Sequence, residues 1–360
     1  MTTLDSYITL GRSGLRVSPY CLGAMTFGED QGWGASVETS EAMLTTYLER
    51  GGNFVDTANI YTNGHSEKII GDYLAARPGL RDRTVLATKF FANLQPGDPN
   101  GGGTGRKALL DQLHHSLRRL QTDYVDIYWI HNWDQRTPIE ETLRTLDDLV
   151  TAGTVRYVGF SDLPAWIASR AQTLADLRGW APAIALQLEY SLLERTAEGE
   201  LIPMARELGM GVMPWSPLRN GHLTGKYRRD DVGDDAGRSG LVPRPSGSEW
   251  DVIETLERVA LESGTTMARA ALAWVRSRPG VASTLIGART ERQLDENLAS
   301  LDLDLNPDQL RALSDASTPR LNFPAFNNTN LAPMLTFGGM TVDGATYPAF
   351  PALAEDAVRY

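Results

Sequence analysis

Four residues stand where their types could do acid-base chemistry. Asp56 and Tyr61 lie five residues apart in NFVDTANIY (53–61), Lys89 follows the apolar run VLAT, and His131 follows VDIYWI. Together they suit delivery of a proton to a carbonyl oxygen. A phenol is a poor acid near its free pKa of ~10, but a neighbouring ammonium favours the phenolate and lowers that value. Lys89 would supply the cation. A lysine in a partly dry pocket is costly unless a carboxylate neutralises it, which gives Asp56 its reason to be there. His131 would orient the carbonyl oxygen by hydrogen bonding. Taken singly, each has a plain structural explanation: a loop-capping aspartate, a packed tyrosine, a solvated lysine, a core histidine. All four closing or following successive strand-like runs is what favours chemistry.

Such a placement needs elements that bring strand ends to one point. Short apolar runs rich in β-formers recur at 20–24, 53–56, 84–88, 125–129, 155–159, 184–187, 211–214 and 283–286. Segments of helical period separate most of them, including 38–50, 106–120, 138–152, 164–177 and 200–208, with Gly153 as a stop signal. Eight alternating units predict a closed (β/α)8 barrel, in which the carboxyl ends of the strands converge on one mouth. The expected organisation is a barrel over 1–318, capped by a hairpin in 1–19 (YITLGRSGLRVS), with an extension over 319–360 packing on it.

Three stretches depart from the rhythm. GDPNGGGTGR (97–106) is glycine-rich but lacks the Gly-Lys pair of a phosphate-binding P-loop. The polar segment 228–247 reads as a long loop inserted before the next helix, placed where a lid would be. The tail carries Phe323, Phe326 and Phe337, which would close over the mouth or seal the barrel side, and ends on a short helical candidate at 351–358.

Composition narrows the function classes. A formal charge of −11 argues against a nucleic-acid or anionic-membrane partner, so an anionic cofactor would need a local basic pocket. Cys21 is the sole cysteine, which excludes an intramolecular disulfide and a cysteine-based zinc site. The N-terminal stretch lacks an apolar signal core and no run is long enough to span a bilayer, so a cytoplasmic location is expected. A homo-oligomer is compatible with the sequence. His114 and His115 are adjacent, about 100° apart on a helix, and cannot form an i, i+4 metal pair.

The stretches NFVDTANIY with GHSEKIIG, VLATKF, VDIYWIHNWD, TVRYVGFSD, ALQLEYSLLER, WSPLRNGHLTGKY and IGARTERQLDEN resemble the aldo-keto reductases, from about Ile8 through Leu313. That resemblance implies the same barrel and a reversible transfer of hydride between NADP(H) and a carbonyl or alcohol. It makes Tyr61 the general acid, tuned by Lys89 and Asp56, with His131 orienting the substrate. Carried over by position, the cofactor would be held by Ala24, Met25 and Asp56, by Ser161, Asp162 and Gln187 at the carboxamide, and by Trp215 stacked on the ring. Ser216, Pro217, Leu218, Gly221 and Lys226 would take the diphosphate, and Gly287, Ala288, Arg289, Gln293, Glu296 and Asn297 the adenosine end. Arg289 would favour the 2′-phosphate of NADP over NAD. Asp162 stands where many relatives carry asparagine, and an ionised carboxylate can only accept. Met25, Phe27, Trp33, Phe90 and Trp133 are the expected walls of a pocket for a flat apolar carbonyl compound. The competing readings are an NADP(H)-binding regulatory subunit with little turnover and a metal-dependent hydrolase using His131 and Asp134.

Overall fold

A computed structural model describes residues 2–227, 229 and 244–353. A short antiparallel hairpin, β1 (Ile8–Thr9) and β2 (Arg16–Val17), precedes the first barrel strand, β3 (Tyr20–Gly23). There follow α1 (Val37–Glu49), β4 (Phe54–Asp56), α2 (His65–Ala75), α3 (Leu80–Arg83) and β5 (Val85–Phe90). The alternation continues with α4 (Arg106–Leu120), β6 (Val125–Ile130), α5 (Ile139–Ala152), β7 (Val155–Ser161), α6 (Ala165–Arg178) and β8 (Ala183–Glu189). It closes with α7 (Leu201–Glu207), β9 (Gly211–Trp215), α8 (Ser248–Glu262), α9 (Met267–Arg276), β10 (Thr284–Ile286), α10 (Glu291–Leu298) and α11 (Pro307–Ala316).

The eight strands β3 to β10 form one parallel sheet in the order β10-β3-β4-β5-β6-β7-β8-β9. The remaining seam is closed by Val212 alone: its N–H donates to Gly280 O (3.0 Å) and its carbonyl accepts from Ala282 N–H (2.8 Å). The expected (β/α)8 barrel is the observed fold, and each expected strand matches an observed one to within two or three residues. Gly153 does end α5, in the left-handed conformation with φ 77°.

Two apolar layers follow from the two-residue period of a strand. One set of side chains points out and packs under the helices, among them Val55, Leu86, Tyr128, Phe160 and Leu186. The other points in: Cys21, Phe54, Ala87, Ile127, Trp129, Ala185, Met213 and Leu285 fill the barrel, with Leu10 and Val17 of the hairpin region joining them from the amino end. The hairpin thus packs against the amino end of the barrel, and Arg12 N–H donates to Gly209 O at 2.8 Å.

The expected loop at 228–247 falls mainly outside the described residues, as does most of the helical candidate at 351–358. Beyond α11 the tail forms a π-turn at Asn327–Leu331, a short α12 (Ala332–Phe337) and a hairpin of β11 (Thr341–Val342) and β12 (Ala345–Thr346). Phe323 and Phe326 are 83% and 60% exposed, so neither side chain seals the barrel, while Phe337 stacks on Tyr347 at 4.4 Å within the tail itself. Among the described residues no helix is long and apolar enough to cross a membrane.

Candidate active site

Strand parity decides what faces the mouth. Counting by twos from the interior layer, Phe54 leads to Asp56, Ala87 to Lys89, Trp129 to His131, Gly159 to Ser161, Ala185 to Gln187 and Met213 to Trp215. Each therefore lies on the inner face at or just past the carboxyl end of its strand. The parallel ladder keeps them level: Asp56 pairs with Ala87, Lys89 with Trp129 and Ser161 with Gln187.

Lys89 is the hub. Fully buried, its Nζ donates to Asp56 Oδ2, to Thr57 O at 2.9 Å and to the Tyr61 hydroxyl at 3.4 Å. The same ammonium lies 5.0 Å from the centre of the Tyr61 ring, and the His131 ring stands edge-on to that ring with centroids 5.9 Å apart. The four residues singled out from the sequence do come together. Gln187 Nε2 donates to the other oxygen of Asp56 at 3.4 Å.

The electrostatics follow from this packing. Burial pulls most strongly against the Lys89 charge, yet Asp56 and Tyr61 together hold its pKa above the ordinary lysine value. Burial raises Asp56, with the facing ammonium opposing it. His131 is pushed down to about 3, first by loss of hydration and then by the Lys89 charge, so its imidazole is neutral at ordinary pH. Asp162 is open to the mouth, but its carboxyl sits against Trp215, whose Nε1–H donates to Oδ1 at 3.1 Å. Lost hydration lifts that carboxyl to about 6, with the indole N–H opposing and Glu189 adding to the rise.

The segment carrying Tyr61 is pinned from several sides. Tyr61 opens a short turn ahead of α2; Thr62 Oγ1 donates to Phe27 O (2.9 Å) and Ser66 Oγ to Ala24 O (2.8 Å). On α2 the buried Glu67 accepts from Thr88 Oγ1 of β5 (2.5 Å) and Arg119 Nε of α4 (2.6 Å). Thr88 is on the outward face of the strand that aims Lys89 inward, so one strand fixes both the helix and the lysine.

The other expected positions distribute less evenly. Ser161 and Gln187 are buried at the mouth, Trp215 is half-buried, and Met25, Trp33 and Trp133 are half-buried on loops above the strands. Ala24 and Pro217 are buried, Leu218 packs on the core, and Ser216 has φ 52°. Beyond Leu218 the backbone stays left-handed, with φ 46° at Arg219, 51° at Asn220 and 97° at Gly221. Gly221 holds a φ that favours glycine, and the Lys226 ammonium lies close over it, 2.9 Å from where a Cβ would stand. Gly287, Arg289 and Gln293 are exposed around the start of α10, and a Cβ built on Gly287 would meet nothing within 4 Å.

Several expectations need correcting. Phe90 belongs to β5 itself and faces outward, packed on Tyr128 at 4.6 Å, so it is no pocket wall. The next residue, Phe91, is the half-buried one, leaving the strand with φ 149°. Phe27 has no exposed surface to offer a substrate. Gly221 N–H is spent on Leu218 O (2.9 Å), so it is not a free donor for a diphosphate. The Glu296 carboxylate accepts from Thr266 and Arg269 (2.8 Å) and Asn297 Nδ2 donates to Gly287 O (3.1 Å); these bonds brace α10 and are compatible with the expected place of both residues at the adenosine end. Asp134 accepts from Thr104 N–H (3.0 Å), Thr137 Oγ1 (2.6 Å) and Arg136 N–H (2.9 Å), a loop-holding role rather than a ligand's. Among the described residues no group of three or more His, Cys, Asp or Glu is gathered that could hold a metal ion.

Two contributors escaped the sequence reading. The Thr57 carbonyl on Lys89 is backbone and leaves no side-chain signal. Trp129, the inward-facing partner of Lys89 on the neighbouring strand, was within reach of counting two residues back from His131.

Comparison with known proteins adds an independent line. The family model described as "Aldo/keto reductase family" matches residues 19–317. The chain is 38% identical to the uncharacterized oxidoreductase YrpG of Bacillus subtilis, over 86% of this chain and 95% of that protein. It is 35% identical to an aryl-alcohol dehydrogenase of Pestalotiopsis microspora, over 91% of this chain and 84% of the relative. It is likewise 35% identical to the norsolorinic acid reductase of Aspergillus flavus, over 87% and 81% respectively.

Proposed function

The chain belongs to the aldo/keto reductase family, and from that premise we propose that it reduces aryl aldehydes or ketones to alcohols with NADPH, with Tyr61 as the general acid. The carrying observation is the Lys89 ammonium touching Asp56, Thr57 O and the Tyr61 hydroxyl at once, with the neutral His131 ring across from the phenol. The reduced nicotinamide supplies hydride to the carbonyl carbon when it is bound.

The neighbours of each group support the same division of roles that the family resemblance implies. Asp56 is held by the ammonium, Lys89 is held by Asp56, and His131 carries no acidic proton near neutral pH. Tyr61 is left as the group with a proton to give, and the ammonium at 3.4 Å lowers the cost of the phenolate left behind. His131 donates a hydrogen bond to the carbonyl oxygen, fixing its approach.

The donor set fits an anionic dinucleotide. The Lys226 ammonium overlies Gly221 on the loop after β9, and Arg289 with the open backbone at Gly287 follows the neighbouring strand β10. Arg289 offers a planar fork of donors suited to a 2′-phosphate, which favours NADP over NAD. Ser161 and Asp162 would hold the carboxamide, with the Trp215 ring beside it. The aryl preference rests on the relatives named as an aryl-alcohol dehydrogenase and a norsolorinic acid reductase.

The test is loss of NADPH absorbance with a panel of aryl aldehydes, ketones and quinones. Tyr61→Phe is expected to lower kcat by roughly 100- to 10,000-fold with NADPH affinity unchanged, the range typical of losing a general acid. Tight NADPH binding without turnover of any carbonyl compound would overturn catalysis in favour of a regulatory role.

A further inference from the structure

Trp166 leaves 58% of its surface exposed, although it is among the largest apolar side chains in the chain. It is the second residue of α6, whose start lies just beyond Asp162 at the end of β7. Helical side chains tilt toward the helix N-terminus, so a first-turn tryptophan leans toward the mouth and not down the barrel wall. The exposed Leu177 lies near the opposite end of the helix, about 16 Å away, so the two make no continuous apolar stripe.

At the rim Trp166 meets Trp133, with ring centroids 5.2 Å apart and planes at 86°. An edge-to-face contact leaves ring faces uncovered. Trp133 is half-buried and packs against the core, two residues after His131. Its loop is stiff: Trp133 N–H donates to Asn132 Oδ1 at 2.7 Å, and Asp134 collects the three donors described above. The Trp133 side of the pair is thus held in place ahead of any ligand, which limits the ordering cost of binding there. At most about 7 Å of chain separates the Cα atoms of His131 and Trp133.

We propose that Trp133 and Trp166 form an aromatic platform that grips the distal ring of a fused-ring aryl carbonyl whose oxygen lies at Tyr61 and His131. This deepens, and rests on, the aryl carbonyl reduction proposed above. Trp166 is then a specificity residue for substrates of two or more fused rings, and a single-ring compound makes little use of it.

Binding and turnover are read separately. First, 2-naphthalenemethanol and benzyl alcohol are titrated into NADPH-saturated protein, a pairing of reduced cofactor and alcohol that cannot react. Trp166→Ala is expected to weaken the naphthyl compound by roughly three- to tenfold, the scale of one aromatic contact, and the benzyl compound by less than about twofold. Trp166→Phe restores most of the loss. Second, the KM for 2-naphthaldehyde rises by the same factor with kcat unchanged. Equal binding of both alcohols by wild type, or the same response of both to Trp166→Ala, overturns the platform. Trp166-dependent naphthyl binding without any turnover overturns the reaction proposed above and leaves the platform standing.

Discussion

Lys89 and Asp56 form a pair in which each is tolerable only because of the other. Lys89→Met would leave a buried carboxylate facing an apolar side chain, and breaking such a pair costs about 3–5 kcal/mol. The expected outcome in urea denaturation is a loss of that order. Adding Asp56→Asn should recover most of the stability and none of the activity, which separates a folding effect from a chemical one. Asp162 is the other titrating group of consequence. Its folded pKa of about 6 lies above the unfolded value, so the folded protein holds the proton more firmly between about pH 4 and 6. Stability from this group is therefore present at acid pH and lost as pH rises through that window. Asp162→Asn should flatten the dependence and stabilise the protein at pH 7, by about 1 kcal/mol or less because the residue is open to solvent. Denaturation midpoints at about pH 5 and pH 7 check the sign.

The strands act by setting parity, and one close approach shows how tightly. Gly159 on β7 lies under the Trp129 ring of β6, where an added Cβ would come within 2.2 Å of Cε3. Gly159→Ala would displace the Trp129 ring, the ladder partner of Lys89, with an overpacking cost of about 1–3 kcal/mol. A lower melting temperature together with reduced kcat is expected; a variant that melts lower but turns over normally would show that the Trp129 ring does not position the lysine. The same parity explains what could be read in advance. The barrel strands are buried on both faces and appear as plain apolar runs, and Asp56, Lys89 and His131 interrupt or end those runs visibly. Phe90 was misplaced because its strand was read as ending before it, and one residue reverses the face. The helix α2 is obscured by the burial of Ser66, Glu67, Ile69, Ile70, Gly71, Tyr73 and Leu74, which leaves no clean polar stripe. The bonds that brace Glu296 and Asn297 were hidden because their partners, Arg269 and Gly287 O, are set by tertiary packing.

At the scale of the whole molecule the family match ends at residue 317, and the described part of the tail is mostly exposed. Its main buried foothold is Ala325, close to Gly199, while Phe323 and Phe326 face outward. Truncation after Pro319 is expected to leave a folded, active barrel with a melting temperature changed by only a few degrees, as for the loss of about 1 kcal/mol. Aggregation of the truncated protein would show instead that the tail covers apolar surface the barrel needs hidden. The seam at Val212 has a consequence of its own. Elsewhere neighbouring strands pair through two to five registered residues, but there β9 and the approach to β10 are held by a single bridge of two hydrogen bonds. The loops that would take the dinucleotide rise from either lip of that gap, Ser216 to Lys226 on one and Gly287 to Gln293 on the other. A dinucleotide spanning them would work as a clasp across the thinnest stitch in the wall, so loading it should quiet the breathing of the barrel as well as arm its chemistry.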